Sequence, residues 1–313
     1  MTAHGVLLVM GQEFRVRLRT GRWRWLLSVW VVVIGLFTGL LDLALGGTQK
    51  PHGIPLFGGL MLFVLGLILI ISPALTAQSI NGDRERGTLA TLQVTRLTPA
   101  EIAVGKLLAA WGVGVGALAL TLPFVGWALA EGGVSVTRAA VVLLVVILLV
   151  GVVCAISQAL SALLARSITS ALLSYVTMFA LTVGTLVAFG LSAGVMSADG
   201  GDGSHKVWWM LAPNPFVVLA DAAPRLPPIR QPLDNPNDGY VAQPADPLGE
   251  IGRSVRETRS PSGYIDDSTS SNGSAVWPYG LGFDLLLGVG ALWLTIRRLH
   301  TPARALLKGV RVA

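Results

Sequence analysis

The chain is poor in the residues from which most active sites are built. It has one cysteine, four histidines and 17 acidic residues in 313, and only 13% of its residues are charged. Cys154 has no partner for an internal disulfide and lies inside an apolar run, so it reads as a small buried hydrophobe. His4, His52, His205 and His300 are scattered over ends and loops, with no H-E-x-x-H and no Cys/His spacing of a metal site. There is no phosphate loop: Gly105-Lys106 is followed by Leu107, and no glycine stands five positions before Gly105. There is no G-x-S-x-G elbow, and no nucleophile–base pair or carboxylate pair lies within the apolar runs. The expectation is a chain without a catalytic site, a metal or a cofactor of its own.

What it does have is apolar length. Hydrophobic residues make up 53% of the chain, and the mean hydropathy is +0.67. Several runs reach about 20 residues, enough to cross a bilayer as helices. The expected spans are 25–45, 54–80, 102–130, 139–164, 168–196 and 276–296. The first run is too long for a signal h-region and no A-x-A site follows it closely, so it is expected to remain as a span. A net charge of +6 and a pI near 10 could point to nucleic acid. Basic residues at span ends are the ordinary mark of membrane orientation, and no nucleic-acid partner is expected.

Counting charges sets that orientation. With the N-terminus inside, the inner set holds Arg15, Arg17, Arg19, Arg22, Arg24, Arg84, Arg86, Arg96, Lys106, Arg166 and the basic tail from Arg297 to Arg311. The short outer loops keep Lys50 and Arg138. Both termini of this multi-pass chain are therefore expected in the cytoplasm. Residues 1–24 alternate arginine with Phe14, Val16, Leu18 and Trp23. This fits an interfacial helix with snorkelling arginines, or a basic flank that only orients the first span. Gly35/Gly39 and Gly112/Gly116 have the small-xxx-small spacing that permits close helix packing. Pro73 is expected to kink the second span.

Between the second and third spans the charge is concentrated in Asn81–Lys106, which carries Asp83, Arg84, Glu85, Arg86, Arg96, Glu101 and Lys106. Gly87-Thr88-Leu89 opens a short amphipathic segment with Leu89, Leu92 and Leu97 on its apolar side. A helix over 82–97, lying at the membrane face and offered to something in the adjacent water, is expected. The other unusual stretch is 197–275. Trp208–Ala222 is aromatic and broken by proline, which suggests short helices dipping into the outer leaflet. From Ala223 to Ser274 the segment is rich in Pro, Asp, Ser, Gly and Asn, and a loosely ordered extracytoplasmic loop is expected, either a tolerated insertion or a lid. Within spans, Asp284 is a candidate for lining a pathway or for being satisfied by a neighbouring helix. Asp42 lies nearer an edge. Ser157, Gln158 and Ser161 suggest hydrogen bonds between helices.

Asp83-Arg84-Glu85-Arg86-Gly87-Thr88-Leu89, then Leu92, Leu97-Thr98-Pro99-Ala100-Glu101-Ile102 and Gly105-Lys106, resembles the run between the second and third spans of ABC type-2 exporter permeases. The basic helix before the first span, the six-span pattern and Pro213-Asn214-Pro215-Phe216 before the last span agree with that family, and Arg297–Pro302 looks like actinobacterial members. The outer loop is longer and more polar than in compact members. The resemblance implies an all-α polytopic membrane protein of six transmembrane helices, with an N-terminal interfacial helix, a cytoplasmic coupling helix and a long extracytoplasmic loop before the last helix. It implies two copies of a separate ABC ATP-binding subunit, which bind the ATP and magnesium, and a second permease copy or related chain, all in the lipid bilayer. Carried over, Asp83, Glu85, Arg86, Gly87, Thr88 and Leu89 contact the ATPase subunit, with Arg166 as a smaller second contact. Glu101 and Lys106 anchor the coupling loop. A non-transporting membrane scaffold and an ATP-independent carrier on the same fold are the competing readings. The few charges in the spans favour a hydrophobic or amphipathic substrate.

Overall fold

The computed structural model describes residues 2–19, 21–46, 52–85, 87, 97–198, 204–226, 245–259 and 275–300. All regular structure among them is helical. Helix α1 is Ala3–Arg19, α2 is Gly21–Leu45, α3 is Gly53–Thr76 and the short α4 is Asn81–Glu85. Helix α5 runs Pro99–Ala130, α6 Val136–Leu163 and α7 Ser167–Phe179. A π-helical turn, Ala180–Gly184, continues α7 into α8, Thr185–Ala198. Ser204–Val207 forms α9, Pro215–Ala222 α10, Pro247–Arg259 α11 and Trp277–Leu299 α12.

Six stretches among the described residues are long and apolar enough to span a bilayer: Trp25–Leu45, Gly53–Glu85, Pro99–Ala130, Val136–Leu163, Ser167–Met196 and Trp277–Leu299. They coincide with the expected spans, and the second runs further, through α4. Their burial divides them. The α3 and α6 spans have 56% and 61% of their most apolar windows inside the protein, against 17% for the first span and 11% for the fifth. The bundle is therefore built around α3 and α6. Leu56, Phe57, Leu60, Met61, Val64 and Leu65 of α3 meet Val142, Val146, Leu149, Val150 and Val153 of α6 in one apolar core. Such residues need no polar partner, and the helical backbone satisfies its own hydrogen bonds, which a membrane span requires.

Local signals set the element boundaries. Thr98 and Glu101 form a reciprocal capping box at the start of α5, with Pro99 at the first helical position. Ser135 caps α6 by accepting from the Arg138 backbone N–H at 3.1 Å. Helix α12 lies along α6, and its inward residues Gly280, Leu281, Asp284, Gly288, Thr295 and Leu299 follow a helical period.

Helix α1 packs on the first half of α5, with Val6 and Val9 buried. A side chain at Gly105 of α5 would put its Cβ 2.7 Å from the Val9 Cβ, so the glycine sets how closely the two helices approach. The short apolar piece Val6–Met10 is thus part of the seam that holds α1 to the bundle.

The outer segment differs from expectation. Pro247–Arg259 is an ordered amphipathic helix, with Leu248, Gly252 and Val255 buried against α10 and α3. Composition averaged over 223–274 hid it, because its apolar positions are few and lie four and three residues apart. Arg138, almost fully buried, holds its near end. One guanidinium nitrogen donates to both oxygens of Asp246 at 2.7 Å and the other to the Pro224 carbonyl at 2.7 Å. Residues 227–244 and 260–274 lie outside the described residues.

Candidate functional site

The charged end of the bundle is organised by the break between α3 and α4. Helix α3 gives way to a turn over 77–80, a few residues past Pro73, before α4. A break of this kind exposes backbone groups that need partners. The Ser161 hydroxyl of α6 accepts from the Ile80 and Asn81 N–H groups at 3.2 and 3.1 Å. The Ser170 hydroxyl of α7 donates to the Ala77 carbonyl at 3.0 Å. Gln158 of α6 donates to the Ala103 carbonyl of α5 at 2.8 Å. The polar residues of α6 thus grip the backbone of two neighbouring spans.

Arg84 adds a charged tie. Its guanidinium donates to the Ala162 carbonyl at 3.2 Å and the Leu164 carbonyl at 3.3 Å, at the C-terminal end of α6. Carbonyls there lack helical partners and carry the negative end of the helix dipole, so a cation suits them. Glu85, exposed beside it, accepts from the Ser167 hydroxyl at 2.5 Å and the Ser167 N–H at 3.4 Å. These contacts bring α4 together with the short 164–166 turn. Arg166 is exposed there, as the residue that precedes α7.

Behind α4 lies a buried ion cluster. Lys106 of α5, whose side chain is 2% exposed, pairs with Asp83 of α4 at 2.5 Å and also with Glu13 of α1. Glu101, one turn earlier, accepts from the Thr2 N–H at 2.5 Å, the Thr2 hydroxyl at 2.8 Å and the Thr98 N–H at 2.8 Å. Charges this far from water persist only when paired and hydrogen-bonded. The cluster therefore fixes α1, α4 and α5 relative to one another.

The site residues expected from sequence are distributed as follows. Asp83 is buried and turned inward onto Lys106. Glu85 and Arg166 face outward, and Gly87 is exposed at φ 71°, the left-handed region that favours glycine. Arg86, Thr88 and Leu89, with the rest of 88–96, lie outside the described residues. Asp284 is 1% exposed on the packed side of α12, and neither carboxylate oxygen has a hydrogen-bond partner. It does not line the apolar cavity of about 90 Å³ among α2, α3, α5 and α6, whose walls include Trp30, Ile68, Ala110 and Cys154.

Sequence reading passed over Arg84, Glu13 and Thr2 as site residues. Glu13 had a signal: it is the sole acid among the first 41 residues, inside an otherwise basic helix. Arg84 and Thr2 had none, because each bonds to chain about 80 or 99 positions away.

At the opposite end, Asn214 explains the Pro-Asn-Pro-Phe segment. Its side chain caps α10 by accepting from the Phe216 N–H at 3.0 Å. It donates in turn to the Thr182 carbonyl at 2.7 Å, inside the π-helical turn of the fifth span, and to the Thr185 hydroxyl at 2.9 Å just after it. A π-turn shifts the helical hydrogen-bond register, and Asn214 supplies a partner there. Asp221 similarly accepts from the Val276 and Trp277 N–H groups at 2.6 and 2.7 Å, capping α12, and pairs with Arg256.

A family profile described as ABC-2 family transporter protein matches residues 48–297, well over half of the chain. No curated protein matches it. The match takes in all but the first of the six spans, the α3–α4 break and the capped segment before α12. The chain belongs to the ABC-2 transporter family: it is a multi-pass membrane permease of an ABC transporter, whose partner is an ATP-binding subunit.

Proposed function

We propose that this permease is an exporter subunit, driven by ATP that a separate subunit hydrolyses, and that the stretch 81–97 is its coupling segment. The observation that carries the proposal is the way α4 is tied into the bundle. Within α4, Asp83 reaches Lys106 of α5, which in turn holds Glu13 of α1, Arg84 reaches the end of α6, and Glu85 reaches the start of α7. A force applied to α4 is delivered directly to α5, α6 and α7 through charged and polar contacts, and through Lys106 to α1. Asp83 acts from inside as an anchor. Glu85, Gly87 and Arg166 are on the surface, and with Arg86, Thr88 and Leu89 they form the face offered to the ATPase subunit.

In this account the charged end faces the cytoplasm with both termini, in a bacterial plasma membrane. Two ATP-binding subunits, which hold ATP and magnesium, close on each other and carry the docked segments with them. A second permease, either another copy or a related chain, completes the exporter. The sparsely buried fifth span is the surface we assign to it, shared with lipid. The chain itself performs no covalent chemistry. The substrate is hydrophobic or amphipathic, in keeping with spans that carry few charges and an apolar cavity lined by residues that include Leu, Ile, Ala and Trp.

Inside-out membrane vesicles from the native host, with and without the chain, test direction and energy source. A lipophilic fluorescent dye is expected to accumulate in chain-containing vesicles when ATP is added. Accumulation driven by a proton gradient without ATP would replace the exporter with a carrier, and an ATPase complex that moves no dye or lipid would favour a scaffold.

A further inference from the structure

The end of the bundle opposite the α4 cluster holds a group that coupling does not use. His52 stands immediately before α3 and is 6% exposed. Its Nε2 lies 3.3 Å from Glu131 Oε2 and 4.0 Å from Asp42 Oδ1. Asp42 comes from the last turn of α2, and Glu131 is the residue that ends α5. Three spans therefore each deliver one donor, and one atom from each lies within 4.8 Å of the others. Two of the solvent-shielded atoms, Asp42 Oδ1 and His52 Nδ1, have no hydrogen-bond partner.

The backbone holds this geometry. A Cβ at Gly53 would stand 2.3 Å from both the Ala128 and the Gly132 carbonyl oxygens. The start of α3 is thus pressed directly against the end of α5, which places the neighbouring His52 against Glu131.

We infer that Asp42, His52 and Glu131 form a binding site for a divalent transition ion of the zinc class. One imidazole nitrogen with two carboxylate oxygens is a donor set that zinc accepts, at about 2.0–2.2 Å from each ligand, with a fourth position left for water. Ligands at that distance around a tetrahedral ion are about 3.3–3.5 Å apart. His52 and Glu131 already have that spacing, and Asp42 needs a small side-chain movement to reach it. Calcium takes six to eight oxygens and magnesium a near-ideal octahedron, so three donors of which one is nitrogen suit neither. The ion neutralises two carboxylates and gives the buried Asp42 oxygen a partner. It also clamps the ends of the first three spans together. The inference stands on this cluster and does not depend on the transport reading.

The test uses the full chain in detergent, with any histidine tag cleaved, stripped by chelator and then equilibrated with Zn²⁺ or Co²⁺. The expected result is one zinc per chain by elemental analysis, a rise in melting temperature on adding zinc, and d–d absorption of a low-coordinate Co²⁺ site. His52→Ala is expected to lose the zinc and the thermal shift, while His4→Ala, at the other end of the bundle, keeps both. Zinc content equal in wild type and His52→Ala would overturn the inference, leaving His52 as a polar contact between span ends without a metal. Should His52→Ala fail to fold, the wild-type Co²⁺ spectrum beside that of Asp42→Asn decides. No d–d band in wild type, or one unchanged by Asp42→Asn, refutes the site.

Discussion

Replacing Lys106 with methionine removes the cation that faces both Asp83 and Glu13 and keeps nearly the same side-chain volume. The lysine side chain is 2% exposed, Asp83 12% and Glu13 23%, so water can only partly take its place. Removing one partner of a buried ion pair costs about 3–5 kcal/mol, because the remaining charge stays desolvated. Here two carboxylates remain, and they repel each other. The partial exposure of Glu13 pulls the figure toward the lower end, about 3 kcal/mol. At roughly 2 °C per kcal/mol for a chain of this size, the melting temperature should fall by about 6 °C. The double variant Lys106→Met with Asp83→Asn should recover part of the loss, since it removes one of the two carboxylates and their mutual repulsion while Glu13 keeps its charge. The assay is thermal unfolding of purified single and double variants, followed by monodispersity in detergent. A Lys106→Met protein as stable as wild type would refute the buried-cluster argument, and so would a double variant less stable than either single one.

Three further outcomes follow from the same contacts. Arg84→Gln loses the charge-assisted bonds to the Ala162 and Leu164 carbonyls, about 1.5–3 kcal/mol, and is expected to lower transport-coupled ATPase activity more than it lowers expression. Arg138→Lys keeps the charge but not the two-oxygen grip on Asp246, so limited proteolysis should cut near residue 246 sooner than in wild type. Because Cys154 is buried, cysteine labelling can report sidedness: Arg166→Cys should react with an impermeant thiol reagent only after permeabilisation, and Ala245→Cys in intact cells.

The spans were legible because a bilayer imposes one rule on sequence, long apolar runs with charged ends, and each of the six runs meets it without help from its neighbours. The apolar run places the α5 start at 102, three residues late, although Thr98, Pro99 and Glu101 form a local capping signal within four residues. Helix α11 was not legible. Its stability comes from Arg138, more than 100 positions away, and from a docking face of three small or apolar residues inside a polar sequence. The charged stretch was recognised as a unit, but its division into an inward and an outward part was not. Asp83 and Glu85 are two apart on one helix, so they point to different sides, and only the position of Lys106 shows which side is buried. His52, Asp42 and Glu131 are dispersed in sequence, and only the meeting of three span ends makes them a group.

The central claim is that 81–97 couples this permease to a separate ATPase, and a pull-down from native membranes in mild detergent tests it most directly. Wild type and Glu85→Arg are compared, with ATP hydrolysis measured on the eluates. The account predicts that wild type brings down an ATP-binding subunit with activity. Glu85→Arg, which reverses an exposed charge and removes the contact to Ser167 but spares the buried cluster, should be equally folded and lose that subunit. A wild-type permease that elutes alone and inactive, or a Glu85→Arg permease that retains the subunit at full activity, would contradict it.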